Sequence, residues 1–494
     1  GDRRARAAIV DALAAAGLRP GGPDGDWQQE FDIVGLTTAM PAQWSFDAGG
    51  ERLSFRALHD YVATSGVQAP RAEIADAELV FVGYGIQAPE HDWDDFKDAD
   101  LRGKVLLMMN NDPDWDPELF AGETRLYYGR WTYKYESAAA AGAAGAILIH
   151  TNASAGYPWQ VVQTSWTGTR FELPATGEPT LQIESWMTAA AAARLVAATG
   201  FDLDELRSVA RTRDFEPVPL GIRTSFAAAV EVEQRRTANV LGLLPGRDPE
   251  LAQEAVVFTA HHDHLGLVTD PDAADRVYNG ARDNASGVAL ILGVARAAGR
   301  LPEPPRRSLL FALVGAEEQG LLGSLYYARH PTFAPGRIAA NINVDGANTL
   351  GRTEDVGFIG YGKSSLDAVI EAVAAAQGRR VTGDEFPDRG LFYRSDQFNF
   401  AKIGVPALYV KPGQRYLGRP ESWGREQVET YTLHHYHQPS DEFDDSWVFD
   451  GMAEDARLVL YCGLIVAESS DPPAWRPDDE FEAARRASLA ALGR

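Results

Sequence analysis

Alternating apolar and amphipathic stretches predict an α/β domain over much of the second half of the chain. Short apolar runs typical of buried strands are separated by Ala- and Leu-rich stretches with a helical period. Strands that alternate with helices in this way favour a mixed, mostly parallel central sheet flanked by helices. The predicted strands are Thr237–Gly246, Ala255–Ala260, Ser308–Gly315 and Ile338–Val344, and the predicted helices are Ser286–Ala298 and Gly320–His330.

The N-terminal residues carry a weaker version of the same pattern. Residues 4–17 predict an amphipathic, Ala-rich helix that ends at Gly17, and Trp27–Leu36 alternates enough to predict a strand. We therefore expect residues 1–76 to form the N-terminal part of the main domain. Residues 206–494 are expected to form its larger part, with a C-terminal helical tail.

Residues 77–205 predict a second, smaller α/β domain inserted into the first. Its predicted strands are Leu79–Ile86, Lys104–Met109 and Ala146–His150, and its predicted helices are Tyr133–Ala144 and Thr188–Thr199. This order of elements resembles the protease-associated (PA) domain, which is often inserted into peptidases as a lid or a substrate-positioning module. The alternative is a generic α/β insert without a functional role.

Composition and charge narrow the classes of partner. The chain has 494 residues, of which 45% are hydrophobic and 23% charged, as in an ordinary globular protein with a large core. Its net charge of −24 argues against nucleic acid or an anionic membrane as a partner, because both require clustered Lys and Arg. No run reaches the roughly 18 apolar residues of a membrane helix. The single cysteine, Cys462, lies in an apolar run and excludes internal disulfides.

Side chains typical of metal sites follow three of the predicted strands. In open α/β sheets, functional groups gather beyond the carboxyl ends of the strands. Asp283, in the glycine-flanked loop Asn279–Gly287, and His437 are further candidates. The strand-end candidates are His261 after Ala255–Ala260, Glu317 and Glu318 after Ser308–Gly315, and Asp345 after Ile338–Val344.

This mixture of imidazole and carboxylate groups suits zinc, with manganese or cobalt as substitutes. Asp283 has two carboxylate oxygens and can bridge two ions; a hydroxide held between ions roughly 3.5–4 Å apart is a strong nucleophile near neutral pH. One carboxylate of the pair Glu317-Glu318 can bind metal while the other takes a proton from water. Asp263 points the same way as His261 if the segment is extended, so it can accept the ring N–H and fix the tautomer.

Each carboxylate has a simpler structural alternative. Asp283 could cap the helix that follows it. Glu317 and Glu318 could be solvated acids near the N-terminus of the next helix. Asp345 could be a turn residue before a glycine.

Six motifs together resemble the dinuclear zinc aminopeptidases of peptidase family M28. The motifs lie within residues 237–467, and the set is specific although each motif alone is weak. The resemblance implies a zinc exopeptidase fold. In chain order the motifs are Ala260–Gly266, Asn279–Gly287, Gly315–Ser324, Asn343–Gly346, Arg394–Asp396 with Gly404–Ala407, and Tyr436–Asp441.

The resemblance also implies roles for the matching residues. One implied ion is held by His261, Asp283 and Asp345, and the other by Asp283, Glu318 and His437. Glu317 is implied as the general base and Tyr436 as a hydrogen-bond donor to the tetrahedral oxyanion, although Tyr436 could simply pack. The register of the motif favours His261 as the ligand, and His262 and His264 are interpreted as structural residues or polar lining.

Two positions depart from the family pattern without removing a ligand. Arg282 stands where many relatives carry an acid before the bridging Asp, and Gln397 stands where a His is common.

The expected function is that of a zinc aminopeptidase, a metal-dependent exopeptidase that uses two Zn²⁺ ions, a metal-bridging hydroxide and Glu317 to hydrolyse N-terminal residues from peptides. The alternatives are a metallocarboxypeptidase of the same superfamily, a single-zinc glutaminyl cyclase, and a receptor-like binding protein without catalysis. No basic cluster for a free carboxylate stands out, which disfavours the carboxypeptidase. The complete ligand set and Glu317 disfavour the binding protein.

The expected partners are peptide substrates, without nucleic acid or a membrane span. Families of this type are often secreted, periplasmic or in the cell envelope, which is the expected localisation, with the cytoplasm as the alternative. The chain starts Gly-Asp-Arg-Arg, so a removed signal peptide stays open.

Overall fold

In a computed structural model, which describes residues 1–268 and 272–493, the chain divides into two structural units. The first unit comprises Gly1–Phe31, Arg236–Glu385 and Leu391–Arg494. The second comprises Asp32–Arg235 and the short segment Phe386–Gly390.

The first unit is built on a mixed sheet whose four central strands are parallel. Antiparallel strands join this parallel core on both sides, so the predicted fold class is confirmed. In sheet order the strands are Arg19–Pro20, the end of Val218–Leu244, Ser308–Val314, Ala255–His261, Ile338–Val344, Ala407–Pro412, Asp355–Ile359 and Arg380–Thr382.

Helices bury both faces of this sheet. On one face, Phe258 and Phe311 stack with ring centroids 5.0 Å apart beneath helices Ser286–Ala298 and Asp450–Glu468. Tyr327, Phe400 and Val405 cover the other face. None of the described helices combines the length and apolar character needed to cross a lipid bilayer. The remaining helices are Asp2–Ala15, Leu322–Arg329, Leu366–Ala376, Gln397–Lys402, Trp423–His434 and Glu482–Ala490.

The elements that carry the candidate site lie close to their predicted bounds. Helix Ser286–Ala298 and strand Ile338–Val344 have the predicted ends. The helix predicted from Gly320 begins instead at Leu322, because Gly320 and Leu321 have φ values of 108° and 61°. These left-handed conformations cannot continue an α-helix.

The second unit has its own sheet and its own hydrophobic clusters. Its sheet order is Tyr61–Ser65, Ile183–Thr188, Gly145–His150, Val105–Met109, Arg71–Phe81, Val218–Leu244, Gln43–Ala48 and Glu51–Arg56. Further strands are Gln28–Thr38, Gln87–Ala88, Trp93–Asp94 and Thr169–Glu172. Its helices are Trp131–Ala140, Asn152–Ala155, Trp159–Ser165, Ala189–Ala197 and Leu203–Val209.

The division between the units differs from the predicted domain boundaries at residues 77 and 205. Residues 77–205 lie wholly in the second unit, but residues 32–76 and 206–235 lie there too. The reason is long-range pairing: strand Val218–Leu244 pairs with Arg71–Phe81 and with Gln43–Ala48. Buried and exposed residues alternate along much of this strand, and no linker-like stretch interrupts it. The resemblance to a PA domain stays a prediction.

Candidate metal centre

The site lies at the carboxyl edge of the central sheet, where three parallel strands end. His261 is the last residue of one strand, Asp345 directly follows the second, and Glu317 follows the third after a short turn. His261 Nε2 lies 3.5 Å from Asp345 Oδ1 and 3.9 Å from Glu317 Oε2. The side chains predicted at these strand ends therefore converge.

Asp283 lies between two imidazoles. Its Oδ1 is 3.2 Å from His261 Nε2, and its Oδ2 is 3.4 Å from His437 Nε2. Because the two oxygens face different histidines, this carboxylate has the geometry required of a ligand shared by two ions.

Glu318 and His437 form the second side of the site. Glu318 Oε2 lies 3.1 Å from His437 Nε2. Within the described chain, this imidazole nitrogen is buried without a hydrogen-bond partner. A buried, unpartnered nitrogen beside carboxylates fits a metal ligand, since burying a polar atom without a partner is costly.

The donor set fits divalent metal ions. Among the residues that the structure describes, two groups of side chains have donor atoms within 4.8 Å of one another: His261 with Glu317 and Asp345, and His261 with Asp283 and Glu318. These groups overlap the predicted ligand sets but divide them differently, since His261 belongs to both. Imidazole and carboxylate are typical zinc ligands, and the clustered carboxylates supply negative charge to offset the ions.

Electrostatics lower the pKa of all three candidate carboxylate ligands, Asp283, Glu318 and Asp345. Burial by itself raises the pKa of a carboxyl, but His261 and His437 hold the pKa of Asp283 far below its ordinary value. Burial likewise opposes ionisation of Asp345, and Lys411 and His261 outweigh it, so its pKa lies below the ordinary value. Ionised carboxylates are the form that binds metal.

Glu317 has the opposite behaviour. Burial raises its pKa well above the ordinary value; His261 opposes this effect, while Asp345 and Glu318 add to it. A carboxyl group with a raised pKa can accept and hold a proton near neutral pH, which suits acid–base work.

Asp263 supports the turn that carries Glu317 and Glu318. Its Oδ1 accepts the backbone N–H of Glu317 at 2.9 Å, and its Oδ2 accepts that of Glu318 at 3.2 Å. The predicted hydrogen bond from the His261 ring to this carboxylate is not formed, because the atoms are 3.8 Å apart. The oxygens are occupied by the two peptide N–H groups instead.

His264, which the sequence analysis interprets as a structural residue or polar lining, contacts the candidate ligand Glu318. Its Nδ1 lies 2.7 Å from Glu318 Oε1, while the other oxygen of Glu318 faces His437. His264 therefore orients a candidate ligand from outside the ligand set. Its position three residues after His261 was the available signal, but spacing could not show which carboxylate it meets.

Asn284 links the loops of Asp283 and Asp345. Its Nδ2 donates to the carbonyl of Val344 at 3.1 Å, and its Oδ1 accepts the N–H of Gly346 at 2.8 Å and of Gly287 at 3.1 Å. Gly287 is required there, because a Cβ atom would lie 2.1 Å from Asn284 Oδ1.

Asp441 is a second supporting residue whose role the sequence did not reveal. Its carboxylate accepts the backbone N–H groups of Arg282 and Asp283 at 3.0 and 3.1 Å, and the hydroxyl of Tyr431 at 3.1 Å. It ends the motif that contains His437. The same motif thus supplies a candidate ligand and the support for the bridging residue.

Three further residues from the sequence analysis are Tyr436, Gln397 and His262. Tyr436 is 40% exposed and its ring stacks on His437, with centroids 3.8 Å apart. Gln397 is buried and accepts a hydrogen bond from Asn343 Nδ2 at 2.8 Å, on the strand before Asp345. The His262 side chain is buried, with a ring nitrogen 3.1 Å from the carbonyl of Ala238, consistent with a structural role.

Comparison with known proteins finds a family match that covers the candidate site. Residues 239–459 match the family described as peptidase family M28. Aminopeptidase NAALADL1 of Mus musculus is 33% identical over 140 residues, which cover 26% of this chain and 17% of the mouse protein. A probable zinc metalloprotease of Pyrenophora tritici-repentis is 28% identical over 229 residues, which cover 39% of this chain and 46% of that protein.

These matches span less than half the length of either curated relative. Among solved structures, an aminopeptidase from Aneurinibacillus sp. strain AM-1 is similar over 96% of this chain and 89% of its own, with 18% identity and a TM-score of 0.48. The matched segment 239–459 contains both candidate histidines and every candidate carboxylate ligand. Through this segment, which makes up less than half of the chain, the protein is similar to peptidase family M28.

Proposed function

We propose that this protein is a zinc-dependent aminopeptidase, a metallo-exopeptidase that hydrolyses N-terminal residues from peptides. One observation carries the proposal: the two oxygens of Asp283 lie 3.2 and 3.4 Å from the imidazoles of His261 and His437. The match of residues 239–459 to a peptidase family supports the reaction class. The similarity to an aminopeptidase supports cleavage of N-terminal peptide bonds. The similarity to a probable zinc metalloprotease supports zinc as the metal.

Two zinc ions would be held by His261, Asp283 and Asp345 on one side and by Asp283, Glu318 and His437 on the other. Bound there, they would supply Lewis acidity, which lowers the pKa of water and polarises a peptide carbonyl. Manganese or cobalt are possible substitutes.

Glu317 moves the proton. Its carboxylate accepts a proton from the attacking water and delivers it to the departing amine, which becomes the new N-terminus. Asp263 keeps the Glu317 backbone in place through the hydrogen bond at 2.9 Å.

Tyr436 stabilises the oxyanion of the tetrahedral intermediate by donating its phenol O–H. A donor aimed at a developing negative charge typically contributes a rate factor of roughly 100–1,000. The stacking on His437 keeps the ring next to the ligand set.

The decisive experiment measures bound metal and hydrolysis of a leucine-based chromogenic substrate for the wild type and for Glu317→Gln. We expect about two ions per chain in both proteins and activity only in the wild type, since Gln cannot accept the proton. Glu354→Gln, at an exposed position in the same unit, is the matched control and should keep full activity. A single bound ion would favour the cyclase, and no metal with no activity would favour a binding protein.

A second measurement separates aminopeptidase from carboxypeptidase. Dipeptides blocked at the N-terminus should resist hydrolysis, while dipeptides blocked at the C-terminus should be cleaved. The reverse preference would make the protein a carboxypeptidase.

A further inference from the structure

A cavity of about 260 Å³ lies in the second unit, apart from the metal centre. Helix Trp131–Ala140 and strands Thr169–Glu172 and Ile183–Thr188 contribute to its walls, and all of its lining residues belong to the second unit. Neither the M28 segment nor the proposed hydrolysis involves these residues.

A guanidinium and a carboxyl group lie side by side in this cavity without a hydrogen bond between them. Arg170 Nη1 and Glu184 Oε2 are 3.7 Å apart, which is too long for a hydrogen bond. Within the described chain, Arg170 Nη1 is buried and has no hydrogen-bond partner. Burial also raises the pKa of Glu184 to about 7. The Arg170 guanidinium thus retains unused hydrogen-bonding capacity, and most of the Glu184 side chain beside it is buried.

Arg170 is held in position by its aromatic surroundings. Its guanidinium carbon lies 4.3 Å from the ring centroid of Trp166 and 5.8 Å from that of Trp131. Such contacts stabilise a cation over an aromatic face and fix the direction of its N–H donors. The guanidinium is therefore ordered before any ligand arrives.

The rest of the cavity wall is acidic and aromatic. Glu136 and Glu172 also line the cavity, so three carboxyl groups and one guanidinium contribute to its wall. Trp131 and Tyr135 supply apolar surface. This combination favours a ligand with an ammonium group, a hydrogen-bond acceptor for Arg170 and an apolar part.

We propose that the cavity binds a free α-amino acid as its zwitterion. The α-carboxylate and α-ammonium are attached to one carbon, so they meet Arg170 and Glu184, which are themselves adjacent. Arginine recognises carboxylates through paired N–H donors, and charge-assisted hydrogen bonds are the stronger ones. The side chain of the amino acid packs against Trp131 and Tyr135.

This inference goes beyond the proposed function and is independent of it. Amino acids are also the products of an aminopeptidase, and they can bind at the metal centre. The experiment must therefore separate the two sites.

The test is calorimetric titration of the full chain with L-leucine. Leucinamide lacks the carboxylate and therefore tests the contact with Arg170. N-acetyl-leucine lacks the ammonium and tests the contact with Glu184. We expect binding of L-leucine, with affinity at least about tenfold weaker for each of the two analogues. Glu184→Gln and Arg170→Gln should each weaken L-leucine binding by about tenfold or more.

Three further variants make the assignment decisive. Glu216→Gln, an exposed carboxylate of the same unit, and Glu317→Gln, at the metal centre, should leave this binding unchanged. Arg170→Lys keeps the charge but loses the paired donors, so it should bind more weakly even if Arg170→Gln folds poorly. Circular dichroism checks the fold of each variant.

The inference is overturned if L-leucine does not bind, or if binding survives both cavity substitutions. It is equally overturned if Glu317→Gln alone abolishes the binding. A wild type without peptidase activity would sink the proposed function and leave this inference standing.

Discussion

At the scale of single residues, the site is defined by carboxylates whose burial is costly without a cation. Asp283 is ionised because two imidazoles lie against it, whereas burial raises the pKa of Glu317 well above its ordinary value. Asp396, fully buried and near these groups, has a pKa raised by burial to about 7. Two adjacent sites with opposite protonation tendencies are what a ligand and a proton acceptor require.

Asp263→Asn tests the support of the Glu317-Glu318 turn. The amide keeps one acceptor oxygen, so one of the two backbone N–H groups now held by the carboxylate loses its partner. We expect kcat to fall by roughly 10–100-fold, the usual cost of removing a residue that orients a metal site. Steady-state kinetics with metal analysis checks this, and Asp214→Asn, an exposed position, is the control. Unchanged kcat would show that the turn is held without Asp263.

Glu184 predicts a pH dependence of stability. Its pKa is 4.5 ordinarily and about 7 in the folded chain because of burial. Below 4.5 the carboxyl is protonated in both states; between 4.5 and 7 only the folded chain keeps the proton, so stability falls as pH rises through this window. The full penalty above the window is at most about 3 kcal/mol.

Glu184→Gln removes this loss. Relative to the wild type, the variant should gain unfolding free energy between about pH 5 and about pH 8, measured by urea unfolding without added amino acid. Glu216→Gln should follow the wild type at both values. A constant difference between Glu184→Gln and wild type would contradict the prediction.

At the scale of elements, the helix after Asp283 starts under tight steric limits. A Cβ atom at Gly287 would lie 2.1 Å from Asn284 Oδ1 and 2.9 Å from the Val344 carbonyl, whereas a Cβ atom at Gly293 would meet nothing within 4 Å. Both glycines belong to helix Ser286–Ala298. They therefore form a matched pair in one element.

Gly287→Ala should destabilise the protein by about 1–3 kcal/mol, because Asn284, whose hydrogen bonds join the Asp283 and Asp345 loops, must shift. Gly293→Ala should instead be neutral or stabilising by up to about 1 kcal/mol, the usual helix propensity difference. Urea unfolding measures both, and metal content should fall only in Gly287→Ala. Equal effects of the two substitutions would refute the steric argument.

At the scale of the whole molecule, the candidate metal ligands and the cavity proposed to bind an amino acid belong to different units. Each unit has its own hydrophobic clusters. A bound ion stabilises the part of the chain that supplies its ligands. Metal should therefore change local stability in one unit more than in the other.

Chelation followed by hydrogen exchange tests this. Removing metal should increase amide exchange in loop Asn279–Gly287 and around His437, and leave strand Gly145–His150 of the second unit unchanged. Mass spectrometry of peptides reads both units at once, and adding zinc back should restore protection. An equal increase in both units would show that the metal stabilises the molecule globally.

The sequence alone was sufficient for the α/β class of the first unit and for the candidate ligands. Candidate ligands at strand ends, such as His261 and Asp345, can be recognised from the apolar run that precedes them and from their residue type. Both signals lie in neighbouring residues of the sequence. The family motifs added the pairing of Asp283 with two histidines. Local patterning is enough wherever a strand and the residue that follows it are contiguous.

Only the tertiary structure decided which supporting residues meet. Asp441 reaches Arg282 and Asp283, and His264 reaches Glu318, across long sequence separations. The predicted hydrogen bond between the His261 ring and the Asp263 carboxylate is wrong for the same reason. The carboxylate instead accepts the backbone N–H of Glu317, in the turn that follows a neighbouring strand. The boundary of the second unit likewise depends on pairing between Val218–Leu244 and Arg71–Phe81. Contacts between distant segments depend on how sheets assemble, and no local pattern encodes them.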